Sequence, residues 1–132
     1  MSLDGKQEEY LEQELTGSII NASIKVHRAL GPGLLESAYQ LCLQRELEMQ
    51  GIAFQSQLSL PVVYHDLKLD VGYRIDLLVE NRVIVELKAV EHLEKVHEAQ
   101  LLTYLRMSGK RVGLLINFNT PRLRDGIIRR IM

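Results

Sequence analysis

The stretch from Tyr73 to Val90 constrains the fold of this chain more than any other part of the sequence. Every second residue is apolar in the segments on both sides of Asn81. The apolar positions are Tyr73, Ile75, Leu77 and Val79 before the turn and Val83, Val85, Leu87 and Ala89 after it. Period-two alternation in segments rich in β-branched residues is typical of half-buried strands. The stretch therefore predicts a β-hairpin with its loop at Glu80-Asn81-Arg82.

The two apolar sets also predict the register of this hairpin. Directly paired residues point to the same face, so the two sets share a face only if the loop has an odd length. A three-residue loop centred on Asn81 meets this condition, because asparagine tolerates a positive φ. Asp76, Glu86 and Lys88 are then expected together on the other face, with Asp76 nearly opposite Glu86. Two carboxylates and an ammonium group in this position predict a functional site.

Size and composition exclude several classes of protein. The 132 residues, 46% hydrophobic and 25% charged, suit a single domain spanning residues 1–132. No apolar run reaches the length of a membrane span, and the N-terminus is acidic rather than signal-like. The single cysteine, Cys42, excludes an internal disulfide and fits a reducing compartment. We therefore expect a cytoplasmic protein without a membrane partner, for which a homo-oligomer is compatible with the sequence.

The net charge of −1 hides an asymmetry between the two ends of the chain. Residues 1–50 carry eight acidic and four basic side chains. Residues 103–132 carry one acidic side chain, Asp125, and seven basic ones: Arg106, Lys110, Arg111, Arg122, Arg124, Arg129 and Arg130. A basic end could bind phosphates, and a solvated basic face is the alternative.

Helical periodicity covers the first part of the chain. A first helix is predicted from about Gln7 to Leu30, and Gly31-Pro32-Gly33 ends it, because proline disfavours helix in the residue before it. A second helix is predicted from Leu34 to about Gln50, followed by Gly51. Its expected buried side consists of Leu35, Ala38, Tyr39, Cys42, Leu43 and Leu47.

The segment between this helix and the hairpin predicts short strands. Residues 52–65 have the composition of extended chain, interrupted at Pro61. His65-Asp66 is predicted to turn the chain into a strand at Leu67–Asp70. Gly72 is expected to mark a bulge before the hairpin.

The remainder predicts one more helix and two further elements. The helix is expected from about Leu93 to Ser108, closed by Gly109, and Arg111–Asn117 is expected as a buried strand. Ile127–Met132 is either a last strand or a short helix. On adjacent turns of the helix lie Val96, Ala99, Gln100, Thr103, Tyr104 and Met107. The whole order predicts an α/β domain: a mixed sheet with the hairpin at its centre and helices on its faces.

The polar face of the hairpin has the chemistry of a metal-dependent phosphodiesterase. Asp76 and Glu86 supply hard oxygen ligands of the kind that Mg²⁺ or Mn²⁺ prefers, and the carbonyl of Leu87 could add another. Lys88 lies two residues after Glu86 and therefore on the same face. It could orient or deprotonate the attacking water and stabilise charge on a phosphate. A solvated sheet face, with Lys88 in an ion pair, is the alternative.

Residues outside the hairpin make this pattern more specific. Gln100 and Tyr104 lie four residues apart, on one face of the third predicted helix. Glu36 lies in GLLESAY, Gly33 to Tyr39, directly after a Gly-Pro-Gly break. This segment resembles the signature of the GxxExxY family, a bacterial and archaeal group placed in the PD-(D/E)XK nuclease superfamily. The resemblance extends from about Leu15 to Asn119.

The resemblance implies a restriction-endonuclease-like core and gives the polar residues catalytic and metal-binding roles. Asp76, Glu86 and Lys88 match the D…ExK triad of the superfamily, with Leu87 contributing its carbonyl to the metal. Glu36 matches the acidic residue of the first core helix, which is often a further metal ligand. A first-turn glutamate favoured by the helix dipole is the alternative for Glu36.

Two further matches and two departures complete the resemblance. Gln100 and Tyr104 match the QxxxY element, which packs beside the catalytic sheet and touches substrate or metal waters; simple helix packing is the alternative. His27 matches an upstream histidine of that branch, with a structural role as the alternative. Ile75 stands where the superfamily motif has proline. Five Tyr, two Phe and no Trp offer no evident stacking platform for bases.

The sequence therefore predicts a Mg²⁺- or Mn²⁺-dependent nuclease that hydrolyses nucleic-acid phosphodiester bonds, with DNA as the first candidate substrate. A non-catalytic nucleic-acid-binding or protein-assembly module on the same fold is the alternative, because a scaffold does not fix an activity. A metal-dependent hydrolase acting on a nucleotide is a third reading of the same residues.

Overall fold

A computed structural model describes residues 12–132, in which a five-stranded mixed sheet lies between two helical layers. The helices are α1 (Gln13–Leu30), α2 (Glu36–Met49) and α3 (Lys95–Ser108). The strands are β1 (Phe54–Ser59), β2 (Val62–Tyr64), β3 (Leu67–Leu69), β4 (Arg74–Val79), β5 (Val83–Lys88), β6 (Val112–Asn117) and β7 (Ile127–Ile131). A 3₁₀ turn, Leu123–Gly126, precedes β7. The predicted α/β class is confirmed.

The sheet has the order β1-β4-β5-β6-β7. All neighbouring strands are antiparallel except β5 and β6, which are parallel and are joined through α3. The predicted central position of the β4–β5 hairpin is therefore confirmed. β2 and β3 form a separate hairpin between β1 and β4. None of the helices in the described chain is long and apolar enough to cross a membrane.

The predicted ends of the first two helices are mostly confirmed. Helix α1 ends at Leu30, where Gly31 has a φ of 70°, and the predicted start at Gln7–Leu11 lies outside the described residues. Helix α2 begins later than predicted, because Leu35 is an extended N-cap residue with φ −68° and ψ 147°. The expected burial of Leu35 is wrong: its side chain precedes the helix and is 77% exposed.

The strand predictions on either side of the hairpin are also confirmed. β1 and β2 flank Pro61, and His65, with a φ of 53°, turns the chain into β3. Gly72 lies in a bend before β4 rather than in a bulge within a strand. The open choice at the C-terminus resolves to a strand, β7, which pairs with β6.

Two hydrophobic clusters hold the helices to opposite faces of the sheet. Helices α1 and α2 pack on one face against alternate residues of β4, β5 and β6, including Leu77, Val85 and Leu114. Helix α3 packs on the other face through Leu101, Tyr104 and Leu105. Only one narrow stripe of α3 contacts the sheet. Val96 and Met107 lie outside this stripe and are 67% and 37% exposed.

The predicted register of the hairpin is confirmed. The pairs are Val79 with Val83, Leu78 with Ile84, and Leu77 with Val85, around the loop Glu80-Asn81-Arg82. Both Glu80 and Asn81 have a positive φ, 52° and 56°, and the N–H of Arg82 donates to the carbonyl of Val79 over 2.9 Å. The next pair in this register would be Asp76 and Glu86.

Asp76 itself is unpaired on both sides of β4. The ladder to β5 ends at Leu77–Val85, and the ladder to β1 skips the position where Gln57 would face Asp76. Gln57 itself has a φ of 49°, outside the range of a regular strand. A local break of this kind frees backbone and side-chain groups from the sheet and is frequent beside active sites.

The break at Asp76 changes which face the preceding residues occupy. Ile75 packs in the cluster under α3, and the ring of Tyr73 lies 6.4 Å from that of Tyr104 in α3. Leu77 and Val79 pack on the opposite face. The expectation that all four share one face is therefore wrong, because the irregular step at Asp76 interrupts the alternation.

Candidate active site

Five of the predicted site residues come together where β5 ends. Lys88 is the last residue of β5, Glu36 is the first residue of α2, and Tyr104 reaches the same place from α3. The charges of Asp76 and Lys88 change the pKa of both Glu36 and Glu86, and the charges of Glu86 and Asp76 change the pKa of Tyr104, so these groups lie near one another. These groups are Asp76, Glu86, Lys88, Glu36 and Tyr104, and we call the space between them the cleft.

Hydrogen bonds fix the carboxylate of Asp76 on both of its oxygens. The backbone N–H of Leu87 donates to Oδ2 over 2.9 Å, and the amide of Gln57 donates to Oδ1 over 3.2 Å. The amide of Gln40 in α2 reaches the backbone carbonyl of Asp76 at 3.4 Å, and its Oε1 accepts from Gln57 at 3.0 Å. The break in the sheet therefore gives Asp76 a set of donors that a regular ladder would not provide.

Gln40 and Gln57 are the site residues that the sequence did not reveal. Both are ordinary polar side chains by type, and neither belongs to a recognisable spacing pattern. The left-handed backbone of Gln57, which aims its amide at Asp76, has no signature in the sequence because glutamine is not a residue that favours a positive φ.

Glu86 is a buried carboxyl group beside a second carboxylate. It is 3% exposed, and its Oε1 atom is buried with no hydrogen-bond partner in the described chain. Burial, followed by the hydrogen bond and charge of Asp76, raises the pKa of Glu86 to about 10, although Lys88 lowers it in part. Glu86 therefore holds a proton at neutral pH when no cation is present.

Lys88 and Glu36 are oppositely charged neighbours in the cleft. Burial raises the pKa of Glu36; the positive charge of Lys88 opposes this shift and the negative charge of Asp76 adds to it. Between residues 12 and 132, Lys88 forms no ion pair within 4.0 Å, so the alternative of a Lys88 ion pair is not observed. Its ammonium group is therefore available to a bound anion.

Gln100 and Tyr104 lie on the predicted shared face of α3, beside the sheet. The amide of Gln100 donates to the Tyr104 hydroxyl over 3.1 Å, and Tyr104 is 5% exposed. Burial, together with the charges of Glu86 and Asp76, raises the pKa of Tyr104 above its ordinary value. Tyr104 therefore keeps its proton and can act as a neutral hydrogen-bond donor in the cleft.

His27 has contacts of a structural kind. It is 8% exposed, and its Nε2 donates to the carbonyl of Thr120 over 2.8 Å. Its ring lies 6.4 Å from that of Phe118. These contacts attach α1 to the chain after β6, which fits the structural role left open for this histidine.

The oxygen atoms of the cleft suit a hard divalent cation. Asp76 and Glu86 lie side by side, and the unpartnered Oε1 of Glu86 is an orphaned buried acceptor that a cation would satisfy. No group of three or more His, Cys, Asp or Glu side chains in residues 12–132 is close enough to hold a metal ion. Glu36 is thus a neighbour of the carboxylate pair rather than part of a compact ligand set.

The raised pKa of Glu86 predicts a stability that falls as pH rises in the metal-free protein. The folded chain keeps a proton that the unfolded chain releases above about pH 4.5, so this stability is present at low pH and is lost toward pH 10. Glu86→Gln imitates the protonated acid and should be more stable than wild type by on the order of 3 kcal/mol at about pH 8.

Urea unfolding in a chelator, repeated from acid to alkaline pH, measures this difference. The difference in unfolding free energy between Glu86→Gln and wild type should shrink to nearly zero below about pH 4.5, where Glu86 is protonated in both the folded and the unfolded chain. Glu91→Gln removes an exposed carboxylate and should leave stability almost unchanged at every pH. A wild-type profile parallel to that of Glu86→Gln would contradict the buried protonated carboxyl.

The comparisons with known proteins identify a superfamily and no individual relative. A family model described as the PD-(D/E)XK nuclease superfamily matches residues 13–131, which include every residue of the cleft. Neither the curated proteins nor the solved structures give a match to the chain. The mixed five-stranded sheet with flanking helices agrees with the restriction-endonuclease-like fold of that superfamily.

Proposed function

Because this chain belongs to the PD-(D/E)XK nuclease superfamily, we propose that its cleft hydrolyses nucleic-acid phosphodiester bonds with the help of Mg²⁺ or Mn²⁺. DNA is the first candidate substrate. One observation carries the proposal: Glu86 is buried beside Asp76 with an oxygen that no donor in the described chain satisfies. A purely structural carboxyl pair would be expected to have its hydrogen bonds satisfied.

We also propose that the chain belongs to the GxxExxY family. Each of the three motif residues, Gly33, Glu36 and Tyr39, has a structural role that supports this proposal. Gly33 has a φ of 101°, which favours glycine, and Glu36 begins α2 beside the cleft. Tyr39 is fully buried; its hydroxyl donates to the carbonyl of Gly31 over 2.6 Å and accepts from the N–H of Leu34. The motif therefore builds the turn that presents Glu36.

The residues of the cleft divide the work of this proposed reaction. Asp76 and Glu86 would hold the cation, with the Leu87 carbonyl as a further oxygen donor, and Glu36, which lies beside this pair, would hold a water of the cation. The chemistry that a divalent cation supplies in such a site is polarisation of the phosphoryl group and a lower pKa for the attacking water. Lys88 places a positive charge where the phosphate gathers negative charge. Tyr104, kept protonated by burial, and Gln100 would donate hydrogen bonds that orient the substrate.

A substrate panel tests the proposal and separates its alternatives. Single-stranded and duplex DNA and RNA would be incubated with wild-type protein in Mg²⁺, Mn²⁺ or a chelator. We expect polymer cleavage that requires the cation. Hydrolysis of a nucleotide without polymer cleavage would favour the nucleotide hydrolase, and absence of both would favour the non-catalytic module.

The cytoplasmic location expected from the single cysteine stays a prediction.

Gln57 provides a prediction about the support of Asp76. Gln57→Asn keeps an amide and tolerates the positive φ, but it is too short to reach Asp76 Oδ1. Loss of such a supporting bond typically weakens metal binding about 10- to 100-fold, and we expect a decrease in that range. Calorimetric titration with Mn²⁺ would measure it. Gln55→Asn, on the same strand, is the matched control and should bind as wild type; equal affinities for both variants would contradict the role of Gln57.

A further inference from the structure

A groove lined with basic residues and without acidic ones crosses the outer surface of α1. Two cavities of about 350 and 360 Å³ share Arg28 of α1 and Arg124 of the 3₁₀ turn. We call this surface the basic groove; its charged residues are Lys25, Arg28, Arg122 and Arg124. Polar Ser18, Asn21 and Gln50 line it as well, and no Asp or Glu among the described residues does. A groove of this composition is unexpected in a chain with 17 acidic and 16 basic residues.

The charges of the basic groove are not neutralised by the part of the protein that the structure describes. All four basic side chains belong to exposed residues, and within residues 12–132 none of them forms an ion pair. Other arginines are paired with acids: Arg45 with Glu48, Arg74 with Asp70, Arg82 with Glu12 and Arg130 with Glu98. Unpaired cations gathered in one concave surface create a local positive potential that attracts anions.

The set of residues that forms the basic groove differs from the cluster of seven basic residues in positions 103–132. Arg130 lies on the α3 side, where it pairs with Glu98, and the side chain of Arg111 donates to the carbonyl of Met132. Only Arg122 and Arg124 of the seven C-terminal bases line the groove. Lys25 and Arg28 of α1, which belong to the net acidic segment of residues 1–50, complete it.

The basic groove and the cleft lie at the same edge of the sheet. β5 and β6 are parallel, and Lys88 pairs with Asn117 at their carboxyl ends. The N–H of the next residue, Phe118, donates to the carbonyl of Lys88 over 2.9 Å, and the chain then leads directly into the groove residues of the 3₁₀ region. The groove residues Arg122 and Arg124 therefore follow the same carboxyl ends of β5 and β6 at which Lys88 lies.

From these observations we infer that the basic groove binds the phosphate backbone of a nucleic acid and holds the substrate while its scissile phosphate lies in the cleft. This inference rests on the proposed function. Binding in the groove should be independent of sequence and should not require a divalent cation, because it depends on charge alone.

Nucleic-acid binding in a chelator tests the groove separately from cleavage. The double variant Arg28→Gln/Arg124→Gln removes the two charges common to both cavities. The control Arg45→Gln/Arg82→Gln removes the same net charge from side chains already paired with acids. A third variant, Arg28→Lys/Arg124→Lys, keeps the charge. Fluorescence anisotropy of labelled DNA and RNA, single-stranded and duplex, would be measured over a range of salt concentrations.

The salt dependence identifies the contacts. For duplex DNA, log affinity plotted against log salt has a negative slope of about 0.9 for each phosphate contact. The double variant lacks two such contacts, so its slope should be less steep than that of wild type by about 1.8. A fourfold rise in salt should thus weaken wild type about 12-fold more than the double variant. The Lys variant and the control should retain the wild-type slope.

The outcomes separate the two proposals. Equal slopes for the double variant and wild type, or no binding by wild type, would overturn the inference that the basic groove binds nucleic acid. Binding to phosphatidylglycerol vesicles but not to nucleic acid would also overturn it. Binding with the expected slopes by a protein that cleaves nothing would leave the groove standing and reject the nuclease.

Discussion

Lys88→Met is expected to lower nuclease activity severely while leaving the fold and the binding of a divalent cation intact. Methionine keeps most of the side-chain length and removes the charge that we propose faces the phosphate. Loss of one positioned electrostatic group typically lowers the rate by about a hundred- to a thousandfold. Single-turnover cleavage with saturating Mn²⁺ measures this step without a contribution from substrate release.

The matched control for this charge is Lys95→Met, because Lys95 is exposed at the start of α3 and its charge is not among those that change the pKa of Glu86. That variant should cleave as wild type does. The Mn²⁺-induced rise in melting temperature should be the same in both lysine variants and in wild type. Cleavage by Lys88→Met at the wild-type rate would contradict the role given to Lys88.

Asp76→Ala is expected to lose both cation binding and cleavage. A cation present at about 100 times its dissociation constant stabilises a folded protein by about 2.7 kcal/mol, which corresponds to a rise of several degrees in melting temperature. We expect this rise in wild type and its absence in Asp76→Ala. Differential scanning fluorimetry with and without Mn²⁺ measures both.

Two further variants make this result interpretable. Asp76→Asn keeps an oxygen that can accept from the Leu87 N–H, so it tests the charge without leaving that donor unpaired. Asp66→Ala removes an exposed acid from the β2–β3 turn and should keep the full metal-induced shift. An equal shift in wild type and in both Asp76 variants would place the cation elsewhere.

Much of the site was predictable because the two hairpin segments carry strong alternating patterns. Those patterns predicted the register, and the register predicted that Asp76 would come next to Glu86. Helix periodicity likewise predicted that Gln100 and Tyr104 would share a face, and their side chains are hydrogen-bonded. In each case the spacing of residues along one element determines the geometry, so no information from distant parts of the chain was needed.

The rest depended on contacts between elements that are far apart in the sequence. Alternation predicts Ile75 on the face of Leu77, but the break opposite Gln57 moves it under α3. The donors from Gln40 and Gln57 to Asp76 arise only when α2 and β1 meet at that break. The basic groove combines Arg28 and Arg124, which are nearly a hundred residues apart in a chain whose charge pattern assigns them to opposite ends.

The most direct test of the account is the anomalous scattering of Mn²⁺ in crystals of the wild-type protein. We predict a peak in the cleft, in contact with the carboxylates of Asp76 and Glu86, that is absent from crystals of Asp76→Ala treated in the same way. A peak at any other place, or no peak at a Mn²⁺ concentration that supports cleavage, would contradict the assignment of this cleft as the catalytic centre.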